Sequence, residues 1–212
     1  MLSIIEPATE AVMAEIPRAG VEEVDAAVAA AKAAFPKWRA VAPADRAALM
    51  RAIADGIESR QADLATLEAR NAGKPISDAT GEIGMVVETF RYYAGGPERL
   101  TGKTIPVAGG VDFTFREPLG VVGLIVPWNF PLAIASWKVA PALAASNTIV
   151  LKPAELTPLT AIELEKIYRG AGLPFGLFQA VQGHSPTGRL LSRHPAIRKV
   201  SFPDGHTDEL GE

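Results

Sequence analysis

The chain has 212 residues, 21 Lys+Arg against 24 Asp+Glu, three His and no Cys, giving a net charge of −3. With 48% hydrophobic and 21% charged residues it is a globular sequence, long enough for one large domain or two small ones. The acidic balance excludes a basic phosphate-binding stripe, and with it nucleic acid; the missing thiols exclude disulfides, thiolate metal sites and any cysteine nucleophile within these residues.

The opening run Met1 to Pro7 has no basic segment followed by an apolar one, so it does not read as a signal peptide, and a cytoplasmic protein is expected. Val21, Val24, Val28, Ala31 and Phe35 form an amphipathic stripe that predicts a helix ending at Pro36. A second helix is predicted from Asp45, burying Leu49, Ile53 and Ile57. A third runs to Asn71 and stops at Gly73-Lys74-Pro75, and a fourth spans Ser77 to Tyr93. From Thr104 to Arg116 the period changes to that of a hairpin, with a turn at Ala108-Gly109-Gly110 and with Val111, Phe113 and Phe115 on one face. A hairpin is marginal alone, so that face needs a partner surface, such as another subunit.

The stretch Pro118 to Trp137 is uncharged and as long as a membrane span, yet Pro127, Asn129 and Pro131 interrupt it. It reads instead as a buried strand (120–126), a rigid loop and a helix (132–145), with no membrane role. Further strands are predicted at 148–151, 177–181 and 199–202, separated by helices at 158–169 and 186–192. The fold class is therefore α/β: N-terminal helices followed by a doubly wound parallel sheet with a projecting hairpin. Ligands bind such sheets outside the carboxyl ends of the strands, here Pro127-Trp128-Asn129, Lys152-Pro153-Ala154-Glu155, Gln182-Gly183-His184 and Pro203-Asp204-Gly205. No Gly-x-Gly-x-x-Gly follows any of them. His184, His194 and His206 have no metal-ligand spacing and read as surface positions.

The motifs Phe115-Arg116-Glu117-Pro118-Leu119-Gly120, Pro127-Trp128-Asn129-Phe130-Pro131, Trp137-Lys138, Leu151-Lys152-Pro153-Ala154-Glu155 and Ala171-Gly172-Leu173-Pro174 together resemble the NAD(P)-dependent aldehyde dehydrogenase family. Its betaine and amino-aldehyde branch is the most similar in flavour. The resemblance runs from about Pro7 to Phe202. It implies NAD-linked oxidation of an aldehyde to a carboxylic acid through a cysteine-bound thiohemiacetal and thioester. Asn129 matches the asparagine whose side-chain amide donates to the developing oxyanion; taken alone, it would simply brace a Pro-bracketed turn. Lys152 and Glu155 match the residues that grip the adenosine ribose, although by spacing alone they are a solvated pair. A 2′-phosphate would meet Glu155 as a like charge, which favours NAD over NADP. Ile125, Val126, Pro127 and Trp128 match the segment beside the nicotinamide ribose and diphosphate, and also read as the core end of a strand. Lys138 matches a lysine linked to proton relay or support; a stem covering apolar surface is the simpler reading.

The resemblance divides the chain into a helical part of the NAD-binding domain (1–100), an oligomerisation hairpin (101–118) and an incomplete Rossmann-like part (119–212), with the catalytic domain absent. After Phe202 the pattern fails, since Pro203, Asp204 and Asp208 stand where the family receives the cofactor diphosphate. Ser146 replaces a glycine where a left-handed helix end is expected, at a cost of about 1 kcal/mol. The nucleophile and general base have no counterpart in these residues, so the 212-residue chain alone is expected not to turn over aldehydes. The alternatives are a non-catalytic NAD-binding or assembly subunit, pairing with itself or with a complete enzyme through 104–116, or a degenerate truncated gene product.

Overall fold

The computed structural model describes residues 1–202, and it opens with two short antiparallel strands, β1 (Leu2–Ile5) and β2 (Val12–Ile16). A helical first half does not anticipate this pair. Its only mark in the sequence is the alternation of Leu2 and Ile4, both buried, with Ser3 and Ile5, both exposed. Four helices follow: α1 (Val21–Arg39), α2 (Pro43–Glu58), α3 (Gln61–Ala72) and α4 (Ile76–Ala94). Helix α1 does not end at Pro36 but runs on to Arg39. Trp38, buried in the core, anchors that extra turn and offsets the hydrogen bond that Pro36 cannot donate. Helix α3 stops as the Gly-Pro signal predicts, with Gly73 in the left-handed region at φ +69°.

Strands β3 (Thr104–Val107) and β4 (Gly110–Phe113) form the predicted hairpin, with Thr104 opposite Phe113 and Pro106 opposite Val111. Every residue of both strands is exposed. Phe113 and the following Phe115 keep 64% and 82% of their surface open.

The second half alternates as expected: β5 (Val121–Ile125), α5 (Pro131–Ala144), β6 (Thr148–Lys152), α6 (Leu159–Gly170), β7 (Phe178–Ala180), α7 (Ser185–Arg193) and β8 (Lys199–Ser201). The four strands make one parallel sheet in the order β7-β6-β5-β8. The chain lays β6 and β7 to one side of β5, then returns to place β8 on the other. The loops therefore part above β5, where a doubly wound sheet opens its ligand crevice.

Both faces of the sheet are covered, which is why β5 and β6 read as unbroken apolar runs. Val122, Leu124, Ile149 and Leu151 pack with residues of α2 to α6 such as Ile53, Phe90, Leu143 and Tyr168. Val121, Ile125 and Val150 face the other way, onto Val24 and Val28 of α1 and Leu191 of α7. Helix α5 closes with Ser146 at φ +63°, the left-handed end expected there. The Ser146 N–H donates to Leu143 O and the Asn147 N–H to Ala142 O, each at 2.9 Å. The stretch 118–137 resolves into strand, loop and helix, and among the described residues no helix is long and apolar enough to cross a membrane. The expectations placed on Pro203, Asp204, His206 and Asp208 lie outside the described residues.

Candidate active site

Two loops leave the carboxyl ends of the central strands side by side. The first follows β5: Val126 is buried and its N–H still joins the ladder, donating to Lys152 O at 3.2 Å. Trp128, Asn129 and Phe130 then turn outward and are exposed, and Pro131 begins α5 at its first position, where the missing N–H costs nothing. The second loop follows β6. Lys152, its last strand residue, is fully buried and donates to Glu155 Oε2 at 3.3 Å, while the Glu155 side chain stays 27% exposed. Thr157 Oγ1 donates to Trp128 O at 3.1 Å and ties the two loops together.

Partial burial works against the charge on Glu155, but backbone donation and the Lys152 ammonium outweigh it and hold the carboxyl below its ordinary range. His184 brings Nδ1 to 3.6 Å from Glu155 Oε1 on the opposite side from Lys152. Glu155 is thus an ionised acceptor with one buried cation behind it and a half-exposed imidazole beside it. Such a group suits a pair of vicinal hydroxyls.

On the other flank of β5, Lys138 of α5 donates to Ser201 Oγ at the end of β8, at 2.8 Å. Burial pushes its ammonium below its ordinary value. Ile125 and Val126 are core residues whose side chains face away from solvent, so they shape the site through backbone alone. The loop that carries Asn129 and the loop that carries Glu155 are joined by the Thr157–Trp128 bond, whereas Lys138 belongs to the β5–β8 side. Between α4 and α5, Met85, Glu88, Thr89, Tyr92, Tyr93 and Trp137 line a cavity of about 420 Å³. Among the described residues no cluster of His, Asp or Glu could hold a metal.

Several residues behind the loops went unnoticed in the sequence. Glu68 of α3, fully buried, accepts the Leu132 N–H at the start of α5. Asn71 donates to Leu156 O and accepts the Leu159 N–H at the start of α6. Lys74 donates to Asn129 O at 2.8 Å and pairs with Glu82. These partners stand 55 to 88 positions from the groups they hold, beyond any local pattern. The one available mark was Gly73-Lys74-Pro75, which reads as a helix stop and is also similar to the family's pattern.

The model of the aldehyde dehydrogenase family matches residues 1–207. The chain belongs to that family. It is 45% identical over 201 residues to the "Putative aldehyde dehydrogenase DhaS" of Bacillus subtilis (strain 168), covering 92% of this chain and 41% of that aldehyde dehydrogenase. It is 43% identical to "Aminoaldehyde dehydrogenase 2" of Zea mays over 212 residues, covering 95% of this chain and 42% of the maize protein. Among solved structures, the NAD+ complex of an aldehyde dehydrogenase from Bacillus cereus superposes with a TM-score of 0.92 at 44% identity, over 94% of this chain and 42% of that one. The chain thus spans about two-fifths of the length of the family members it matches.

Proposed function

We propose that these residues form the cofactor side of an NAD-linked aldehyde dehydrogenase, acting on aldehydes of the betaine and amino-aldehyde kind. The carrying observation is the pair of loops joined by Thr157 and Trp128. One presents the exposed Asn129, and the other an ionised Glu155 backed by buried Lys152. Residues 1–100 then form the helical support, 101–118 an oligomerisation hairpin and 119–212 the Rossmann-like part.

The donor set fits NAD. Glu155 would accept the ribose hydroxyls, Lys152 would keep it charged, and the backbone of Ile125, Val126, Pro127 and Trp128 would line the crevice toward the nicotinamide. When bound, NAD supplies the hydride acceptor. The Asn129 amide would donate to the oxyanion that develops on the aldehyde, a contribution worth about 3–4 kcal/mol of barrier in comparable sites. Lys138, with its lowered affinity for protons, would sit on the β8 side as a support or proton carrier. The apolar cavity of Met85, Tyr92 and Trp137 would take the aldehyde's carbon chain. Among these 212 residues there is no thiol, so the nucleophile of the family's reaction is not among them.

Calorimetry of the 212-residue chain tests this reading. NAD is expected to bind, and Glu155→Ala to weaken it about tenfold by removing charged hydrogen bonds. NADP is expected to bind about tenfold more weakly than NAD through like-charge contact, with the gap narrowing in Glu155→Gln. No binding at millimolar NAD, or equal affinity in Glu155→Ala, rejects the cofactor assignment. The same chain is expected to make no NADH from a panel of aldehydes. Steady turnover would overturn that part.

The hairpin supports a second reading, compatible with the first: association with another copy or with a longer family member through Val111, Phe113 and Phe115, all open to solvent.

A further inference from the structure

We infer that Lys74 is a positioning residue for Asn129, holding its peptide so that the side-chain amide points out of the loop. Three successive carbonyls of the loop are taken by three different elements. Trp128 O accepts from Thr157 Oγ1, Asn129 O from Lys74 Nζ, and Phe130 O from the Ile134 N–H. The flanking torsions have other restraints. Pro127 fixes its own φ, and Pro131 confines Phe130 before it. The backbone between them, at Trp128 and Asn129, has no proline to restrain it, and the peptide after Asn129 is part of the backbone from which the Asn129 side chain departs. Lys74 holds it.

The ammonium is itself committed. It lies 2.6 and 2.8 Å from the two oxygens of Glu82 and 2.8 Å from Asn129 O, which occupies its three donors. It also sits 4.7 Å from the centroid of the Phe130 ring. Both members of the pair are nearly closed to solvent, with side chains 12% and 7% exposed. The left-handed turn at Gly73 makes the geometry possible, because it takes Lys74 off the axis of α3 toward α4 and the loop. A buried ion pair contributes little net stability over an apolar pair of the same volume, so stability alone does not account for it. Donation from a charged group to the Asn129 carbonyl does.

The chemical consequence rests on the Asn129 reading given above, but the test does not, because it follows the order of the loop and not turnover. Nitrogen relaxation is measured on the Trp128, Asn129 and Phe130 amides of the 212-residue chain, with thermal unfolding and NAD titration on the same samples. In the native chain the order parameters are expected near ~0.85, as in rigid backbone. Lys74→Met strands the Glu82 charge and is expected to lower the unfolding temperature. Lys74→Met/Glu82→Met removes both charges and is expected to recover most of it. In that double variant the order parameters should still fall below about 0.6. Recovered stability with the loop as ordered as in the native chain shows a pair that only supports the fold, and overturns the inference. If the double variant does not fold, Lys74→Met/Glu82→Gln reads the same loop with the same two outcomes. A native chain that fails to bind NAD defeats the cofactor reading while leaving the loop measurement intact.

Discussion

Strands β5 and β6 and strands β3 and β4 are two pairings of nearly the same length, built from the same kinds of residue, with opposite fates. In β5–β6 all five residues of each strand are buried, under α1 and α7 on one face and the helices from α2 to α6 on the other. In β3–β4 all four residues of each strand are exposed, including Ile105, Val107, Val111 and Phe113. β-Propensity alone makes strands in both places. Burial decides which pair is part of the chain's own stability and which keeps its apolar surface for something else. The loops of the candidate site leave the buried pair, and that gives Asn129 and Glu155 a fixed base.

The comparison predicts its largest effect at the centre of the sheet. Ile149 is fully buried against the α2–α6 face, so Ile149→Ala removes three methyl or methylene groups where little can collapse to fill the space. A loss of about 2–5 kcal/mol is expected, measured as a shift of the urea midpoint at constant slope. A loss under about 1 kcal/mol would mean that the helices repack freely over β6 and that the site loops have no rigid base.

How much of this was visible beforehand differs between the same regions. The runs Val121–Ile125 and Thr148–Lys152 are legible because both sheet faces are covered, which leaves no polar alternation to confuse the pattern. The left-handed end at Ser146 was expected from the resemblance, in which a glycine stands at that place. The β1–β2 pair was not: four or five residues are too few to show a period, and its turn places the non-glycine Glu10 at φ +58°. Helix α1 overran Pro36 because a tertiary contact of Trp38 outweighs a local stop signal. For the site, Asn129, Lys152 and Glu155 were picked out by resemblance, not by spacing. Their supports Glu68, Asn71 and Lys74 were invisible because the contacts cross the fold.

A smaller effect separates the buried and exposed regions by pH. Burial pushes the Glu68 carboxyl above its ordinary range, although the Leu132 N–H bonds to it. Between the unfolded and folded pKa values the native state then binds more protons than the unfolded one. The stabilisation is therefore full below the ordinary carboxylate range and lost as pH rises through the raised value. Glu68→Gln keeps an acceptor for Leu132 and removes the titration. Its urea midpoint is expected to gain on the native protein as pH rises from about 4.5. Glu155, with its carboxyl held low, has the opposite sign: its contribution is lost as pH falls. A Glu68→Gln curve parallel to the native one would remove the buried carboxylate from the account.

The smallest expected change in stability falls on the hairpin, and it is the most informative about assembly. Phe113 keeps nearly two-thirds of its surface open, so Phe113→Ser removes few contacts within the chain. Its urea midpoint is expected to stay within about 0.5 kcal/mol of the native value in dilute solution. If Val111, Phe113 and Phe115 are a surface for a second chain, the same substitution shifts the concentration dependence of the mass measured by light scattering toward the monomer. Instability comparable to Ile149→Ala at low concentration would place Phe113 in a core of its own, and the contrast between the two pairings would fail. An unchanged midpoint together with an unchanged mass at every concentration would leave the contrast in place but remove self-association as its reason, so that only a partner of different sequence could cover this face.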